Sequence, residues 1–214
     1  MMRAYRETYL SKSRSLLGEA FDYALNSCRI SGEDFTSYFV SGPFSKRMEN
    51  GEPAVLSGMS GIELARAVIT NATGKTIDMK PQDTFTRSAE YWIGWAVAFY
   101  QWWSGRPFRS IFKSLSYQDL EHMYYTFHEA DITKFVEAAE ARVKETYPET
   151  NLKYIRSAYG CSQAELAEMS GVSLRSIQMY EQRNKDINKA GAGTVRSLAK
   201  ALGCTMEDLL ENPL

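Results

Sequence analysis

Apolar residues recur at helical spacing along most of the chain, and charged residues fill the positions between them. Near the start, Leu17, Phe21 and Leu25 lie on one such stripe, which predicts a long amphipathic helix. A brief extended segment is predicted only at residues 76–79. The pattern therefore predicts an all-α protein, with helices over residues 3–29, 62–74, 108–115, 116–131 and 132–147.

Helix starts are indicated where a serine is followed three residues later by an acid. Ser31 precedes Asp34 and Ser60 precedes Glu63 in this way, and each pair can satisfy the free N–H groups of a first turn. Residues 41–58 contain three glycines, two prolines and a cluster of charges. That composition predicts a surface loop.

Residues 88–105 form the most aromatic stretch, with seven Tyr, Trp or Phe residues within thirteen positions. The stretch is apolar on nearly all sides and shorter than the roughly 20 residues that span a bilayer. It is therefore predicted to be the central helix of an N-terminal helical domain. Rings that fill the core are the preferred interpretation, and an aromatic-lined pocket or a partner-binding surface is the alternative.

Residues 162–184 predict two short helices joined by a tight turn. Ser162 and Glu165 form a capping box at the start of the first helix. Gly171 falls where the reversal of the chain needs a positive φ, which costs least at glycine. Ser173 caps the second helix, and the polar, partly basic outer face of that helix carries Arg175, Ser176, Gln178, Met179 and Gln182.

These residues resemble the helix-turn-helix domains of the Cro and phage-repressor type, the XRE family. The resemblance extends from about residue 152 to 210. It comprises a preceding helix (LKYIRSAYG), the motif SQAELAEMSGVSLRSIQMYEQ, and two following helices (TVRSLAKALG and TMEDLLE). It implies a five-helix DNA-binding domain over residues 149–214. The preceding residues, 1–148, are predicted to form a helical domain, for which no family resemblance is recognised.

The resemblance also implies roles for individual residues. Gln163 would hold a DNA phosphate, and Arg175 is the best candidate to read a base, because its planar fork matches the O6 and N7 atoms of guanine. Leu174 and Met179 depart from the family, in which these positions often carry amides, so apolar contact with thymine methyl groups is expected to replace some hydrogen bonding. Leu174 could instead pack on its own domain. Arg156 and Glu181 would form a structural ion pair. The full DNA-binding set is Gln163, Ser173, Leu174, Arg175, Ser176, Gln178, Met179, Arg183, Asn184 and Lys185, the last three being phosphate contacts or simply a solvated loop.

The charge and composition of the chain indicate less about its function than the helix-turn-helix motif does. The net charge of −1 does not indicate nucleic-acid binding by itself. Residues 150–204 contain eight Lys or Arg against four acids, an excess small enough that a dimer is expected to be needed for tight DNA binding. Three scattered cysteines without CxxC spacing argue against a zinc site or disulfides. Together with the absence of a signal peptide at the start of the sequence, they indicate the cytoplasm.

Catalytic and metal chemistry find no support in the sequence. His122 and His128 are six residues apart, so they do not share one helix face, and HExxH is absent. No GxSxG or phosphate-loop pattern occurs either, and neither an enzyme nor a cofactor is predicted.

The expected function is that of a dimeric, sequence-specific transcriptional repressor that binds a near-palindromic operator in double-stranded DNA. The alternative is an antitoxin whose N-terminal domain binds a toxin while its helix-turn-helix domain represses the promoter that the two genes share. The N-terminal domain could also bind another protein or a small-molecule effector, and no membrane association is expected.

Overall fold

The computed structural model describes residues 4–82, 87–146 and 149–211. All regular secondary structure in these ranges is helical, which confirms the predicted all-α class. The chain divides into two compact units, Met1–Thr146 and Tyr147–Leu214. Pro148, where the sequence places the domain boundary, lies outside the described residues. None of the described helices is long and apolar enough to cross a membrane.

The first unit is a bundle of helices of unequal length. A 3₁₀ turn at Glu7–Tyr9 precedes α1, and a π-helical turn at Tyr23–Ser27 follows it. The single helix predicted over residues 3–29 is therefore three segments. The α-helices are α1 (Leu10–Asp22), α2 (Gly32–Ser41), α3 (Pro43–Glu49), α4 (Pro53–Leu56), α5 (Gly61–Thr73), α6 (Ala89–Ser104), α7 (Phe108–Ser114), α8 (Tyr117–Phe127) and α9 (Ile132–Thr146).

The helices α1 and α6 cross unusually closely, because glycines lie at the crossing. A Cβ added to Gly94 would lie 2.4 Å from the carbonyl oxygen of Leu17, and one added to Gly18 would lie 2.9 Å from that of Tyr91. Real Cβ atoms do not approach backbone so closely. Both positions are buried, so the crossing requires glycine on each helix.

The aromatic residues of α6 are divided between the core and the surface. Tyr91, Tyr100 and Trp102 are buried, as the core interpretation predicts. The other four rings are half-buried and follow one side of the helix at three- and four-residue spacing; they are Trp92, Trp95, Phe99 and Trp103.

The loop predicted for residues 41–58 is wrong, because α3 and α4 occupy it. Pro43 and Pro53 are the first residues of these helices, where proline has no N–H to lose and its fixed φ suits the helix. Met48 and Leu56 are buried beneath them. Residues 76–79, where a brief extended segment is predicted, form neither helix nor strand.

The two predicted caps of this unit are confirmed. Ser31 accepts a hydrogen bond from the Asp34 N–H, and Ser60 and Glu63 form a complete capping box. The side chains of Ser31 and Ser60 therefore determine where α2 and α5 begin.

The second unit consists of α10 (Asn151–Tyr159), α11 (Gln163–Ser170), α12 (Leu174–Glu181), a 3₁₀ turn at Ile187–Lys189, α13 (Ala192–Leu202) and α14 (Met206–Leu209). These helices share one apolar core, to which each contributes at least one buried side chain. Its largest members are Leu152, Leu166, Ile177, Tyr180, Ile187, Leu198, Leu202 and Leu209.

Candidate nucleic-acid interface

Local hydrogen bonds and one glycine fix the start of α11 and the turn that leads from α11 to α12. Ser162 accepts from the Glu165 N–H at 3.2 Å, and the Glu165 carboxylate accepts from the Ser162 N–H at 2.7 Å, which confirms the predicted capping box. Those bonds lower the pKa of Glu165. Gly171 has the predicted positive φ, 69°, and Ser173 caps α12 by accepting from the Ser176 N–H.

Arg156 and Glu181 form the ion pair that the resemblance implies. The Arg156 Nε atom lies 2.6 Å from Glu181 Oε1, and Nη2 lies 3.0 Å from Oε2. Hydrogen bonding to Glu181 raises the pKa of Arg156. The Gln163 side chain joins this pair, because its amide nitrogen donates to Glu181 Oε2 at 2.7 Å. One amide N–H of Gln163 is therefore used inside the unit, and only the other is left for a phosphate.

The outer face of α12 begins with exposed side chains. Ser173, Leu174 and Arg175 are exposed, and Leu174 retains 39% of its accessible surface. Within the described part of the unit, Arg175 has neither an ion pair nor a hydrogen bond from its guanidinium. Its full donor capacity is available to a partner. Ser176, Gln178 and Met179 follow on the same helix and are half-buried.

The loop after α12 places its three candidate residues in different environments. Arg183 has a positive φ of 56°, and its guanidinium contacts Glu211 at 3.1 Å and the Glu149 carbonyl oxygen at 3.0 Å. Asn184 donates to Gln182 at 3.0 Å. The ammonium of Lys185 lies 5.2 Å from the Tyr180 ring and is exposed. Lys185 is thus better placed than Arg183 to contact a phosphate.

A polar cavity of about 350 Å³ lies between α12 and the start of α13. Small residues line it together with the Lys185 side chain. No side chain caps α13, whose N-cap is Gly191. The Thr194 N–H donates to the Gly191 carbonyl oxygen at 2.8 Å, so the N–H groups of Ala192 and Gly193 are the ones left for an anion. Sequence reasoning missed Gly193 and Thr194 at this helix start. The signal available in the sequence was a glycine just before a helix with an apolar stripe. Glycine has no side chain that could bond the free backbone N–H groups at the helix start.

The charge of the whole second unit is balanced. Residues 149–214 contain eight Lys or Arg and eight Asp or Glu, because Glu149, Glu207, Asp208 and Glu211 flank the basic segment. The unit has no overall charge with which to attract DNA, so attraction must come from local cations such as Arg175 and Lys185.

In the described ranges, no three His, Cys, Asp or Glu residues are grouped so that they could hold a metal ion. His122 lies within α8, and His128 follows its last turn. Cys28, Cys161 and Cys204 are free thiols and half-buried.

The chain matches one family model, described as Helix-turn-helix, over residues 152–209. Neither curated proteins nor solved structures give a match to the chain. The matched residues are those that build α10 to α14 and bring Arg156 to Glu181. Residues 152–209 are therefore a Cro/C1-type helix-turn-helix domain of the XRE family, the type found in DNA-binding transcription regulators.

Proposed function

We propose that the protein is a sequence-specific transcriptional regulator in which α12 enters the major groove of DNA. The observation that carries this proposal is the exposed first turn of α12, where Arg175 lies unpaired beside Leu174. A guanidinium can donate two parallel hydrogen bonds to guanine, and Leu174 and Met179 can contact thymine methyl groups. Ser173, Ser176 and Gln178 add hydroxyl and amide groups on the same helix.

Phosphate contacts would hold α12 in register. The candidate donors are the second amide N–H of Gln163, the Lys185 ammonium and the N–H groups of Ala192 and Gly193 at the start of α13. Asn184 is exposed beside them. Arg183 is a weaker candidate because Glu211 already binds its guanidinium.

A dimer is supported by the charge balance of the second unit. A neutral domain with a single reading helix would bind DNA weakly at physiological salt. Two copies related by a two-fold axis would place their α12 helices on half-sites one turn apart, about 34 Å. We assign repression rather than activation, since occupation of an operator is enough to exclude polymerase, whereas activation needs an additional contact. Such a protein would act in the cytoplasm.

Selection of bound duplexes from a random library, using the full chain, tests this function. Enrichment of a two-fold symmetric site is expected, and its half-site spacing should be close to one or two helical turns. Failure to enrich any sequence, with binding that is weak and steeply dependent on salt, would contradict sequence-specific regulation.

The half-buried aromatic side of α6 supports a second candidate, an antitoxin that covers a toxin with its first unit. Aromatic side chains supply much of the binding energy in protein interfaces. Expression of the adjacent gene product with and without this protein tests the antitoxin function, because only an antitoxin would relieve growth inhibition.

A further inference from the structure

An aromatic cleft of about 300 Å³ lies on the first unit, between the start of α6 and the segment that joins α8 to α9. We define the aromatic cleft by its lining residues, Arg87, Ser88, Tyr91, Trp92, Trp95, Tyr124, His128, Ala130 and Ile132. Its volume is at the lower end of small-ligand pockets, roughly 300 to 1,000 Å³.

The rings of the cleft are held by one another. Trp92 contacts Tyr124 edge to face, with ring centroids 5.6 Å apart, and Tyr124 stacks on His128 at 4.6 Å. The His128 Nδ1 atom lies 2.9 Å from the Tyr124 carbonyl oxygen. These contacts give the cleft flat apolar walls without a ligand, so a planar ligand would bind to a largely prepared site.

Two arginines lie on these rings and leave the cleft unsuited to a cation. The Arg14 guanidinium lies 3.3 Å from the Trp95 ring centre, and that of Arg87 lies 4.6 Å from the Tyr91 ring centre. An aromatic cage attracts ammonium groups through the faces of its rings. Here guanidinium groups already cover one face of Trp95 and one face of Tyr91, so a further cation at these two rings would be repelled.

Arg14 and Arg87 also lack carboxylate partners. Neither forms an ion pair within the described residues, and the Nε atom of Arg14 is buried without a hydrogen-bond partner. Among the described residues, the lining includes no Asp or Glu. Asp22 and Glu129 contact lining residues, but Asp22 accepts from Ser88 and Asn26, and Glu129 lies beside His128.

We propose that the aromatic cleft binds a small aromatic carboxylate, whose ring lies between the walls and whose carboxylate pairs with Arg87 at the mouth. Arg87 is exposed and can turn towards a ligand without disturbing the core. The assignment of the aromatic cleft as a regulatory site rests on the proposed function of the protein as a transcriptional regulator.

Calorimetric titration of the full chain tests the proposal with three probes of equal ring size: 1-naphthoate, its uncharged amide, and 1-naphthylmethylammonium. Naphthoate is expected to bind about tenfold more tightly than the amide, because a charge-assisted bond is about twice as strong as a neutral one. The ammonium should bind most weakly. Equal affinities, tightest binding of the ammonium, or no binding of naphthoate would overturn the proposal.

Three variants locate the binding. Arg87→Gln should weaken naphthoate about tenfold and change the amide by less than about twofold, while Arg109→Gln, an exposed arginine on α7 outside the lining, should change neither. Ala130→Trp, at an exposed lining position, should fill the cleft and abolish binding of naphthoate and the amide. Unchanged binding in Arg87→Gln or Ala130→Trp would place the ligand elsewhere and overturn the proposal.

Sedimentation distinguishes a ligand cleft from an interface between copies. If Ala130→Trp abolishes self-association of the chain, a second copy occupies the cleft and the proposal fails. Unchanged self-association supports a small-molecule site. Neither measurement involves DNA, so a negative result would leave the proposed DNA binding untouched.

Discussion

Arg156 on α10 and Glu181 at the end of α12 are joined by two parallel hydrogen bonds, at 2.6 and 3.0 Å. Only 12% of the Arg156 side chain and 2% of the Glu181 side chain are accessible to solvent. Arg156 also donates to the Cys161 carbonyl oxygen. The last turn of α12, the helix proposed to enter the major groove, is thus attached to α10 by a buried ion pair in which each charge is neutralised by the other.

Glu181→Ala should unfold the second unit preferentially. The change leaves the Arg156 guanidinium buried without its counter-ion, which costs about 3 to 5 kcal/mol. Hydrogen exchange of peptides from residues 151–209 in the full chain should show lost protection. All four tryptophans lie on α6, so tryptophan fluorescence should show the first unit unchanged.

Glu168→Ala is the matched control, since Glu168 is exposed on α11 and its loss should change stability by no more than about 0.5 kcal/mol. Equal protection in Glu181→Ala and Glu168→Ala would show that the ion pair contributes nothing.

Arg175→Ala should relax sequence discrimination as well as weaken binding. Loss of two parallel bonds to a guanine costs about 1 to 3 kcal/mol at that base pair. Titration of the selected duplex and of single-base variants measures the effect. Lys200→Ala removes the same charge from an exposed position on α13 outside the polar cavity, and it should leave discrimination intact. Discrimination unchanged by Arg175→Ala would remove this residue from base reading.

Lys185→Ala should weaken binding to all duplexes alike. A lysine that neutralises one phosphate contributes about one unit to the slope of log affinity against log salt. Titrations at several salt concentrations measure this slope. Lys189 is paired with Asp186 at 3.5 Å, so Lys189→Ala should change the slope less. Equal slopes for Lys185→Ala and the unmodified protein would argue for a solvated loop.

Gly94→Ala should destabilise the first unit, because the new methyl group would meet the Leu17 carbonyl oxygen at 2.4 Å. Forced separation of packed helices costs about 1 to 3 kcal/mol. Denaturant unfolding followed by tryptophan fluorescence measures the loss. Gly193→Ala is the contrasting change in the second unit, where hydrogen exchange of peptides from α13 measures its effect. Nothing lies within 4 Å of its added Cβ, and alanine should stabilise α13 by up to about 1 kcal/mol. A neutral Gly94→Ala would mean that α1 and α6 adjust to the methyl group at no cost.

Features that depend on near neighbours in the sequence were predictable. The Ser162 and Glu165 capping box and the positive φ of Gly171 follow from residues no more than four positions apart, and the structure confirms both. The Arg156 and Glu181 pair is 25 residues apart, and only the family resemblance indicated it. Composition misled at residues 41–58, because Pro43 and Pro53 begin helices as readily as they interrupt them.

Features that depend on tertiary packing were not predictable. The participation of Gln163 in the ion pair, and of Arg183 in a bond to Glu211, requires the folding of distant segments against one another. The sequence likewise shows seven aromatic residues near α6 but not which of them face the aromatic cleft. Helical spacing indicates a side of the helix, whereas the neighbouring helix decides which side is covered.

The close crossing at Gly18 and Gly94 limits when α1 can pack during synthesis of the chain. These residues are 76 positions apart in the sequence, so at about 5 to 20 residues per second a ribosome needs roughly 4 to 15 seconds to deliver the partner of α1. During that interval the backbone of Leu17 and Gly18, both buried in the finished protein, has no α6 to pack against. The crossing can form only after residue 94 has been synthesised, and a nascent chain stalled before that point would leave this face of α1 uncovered.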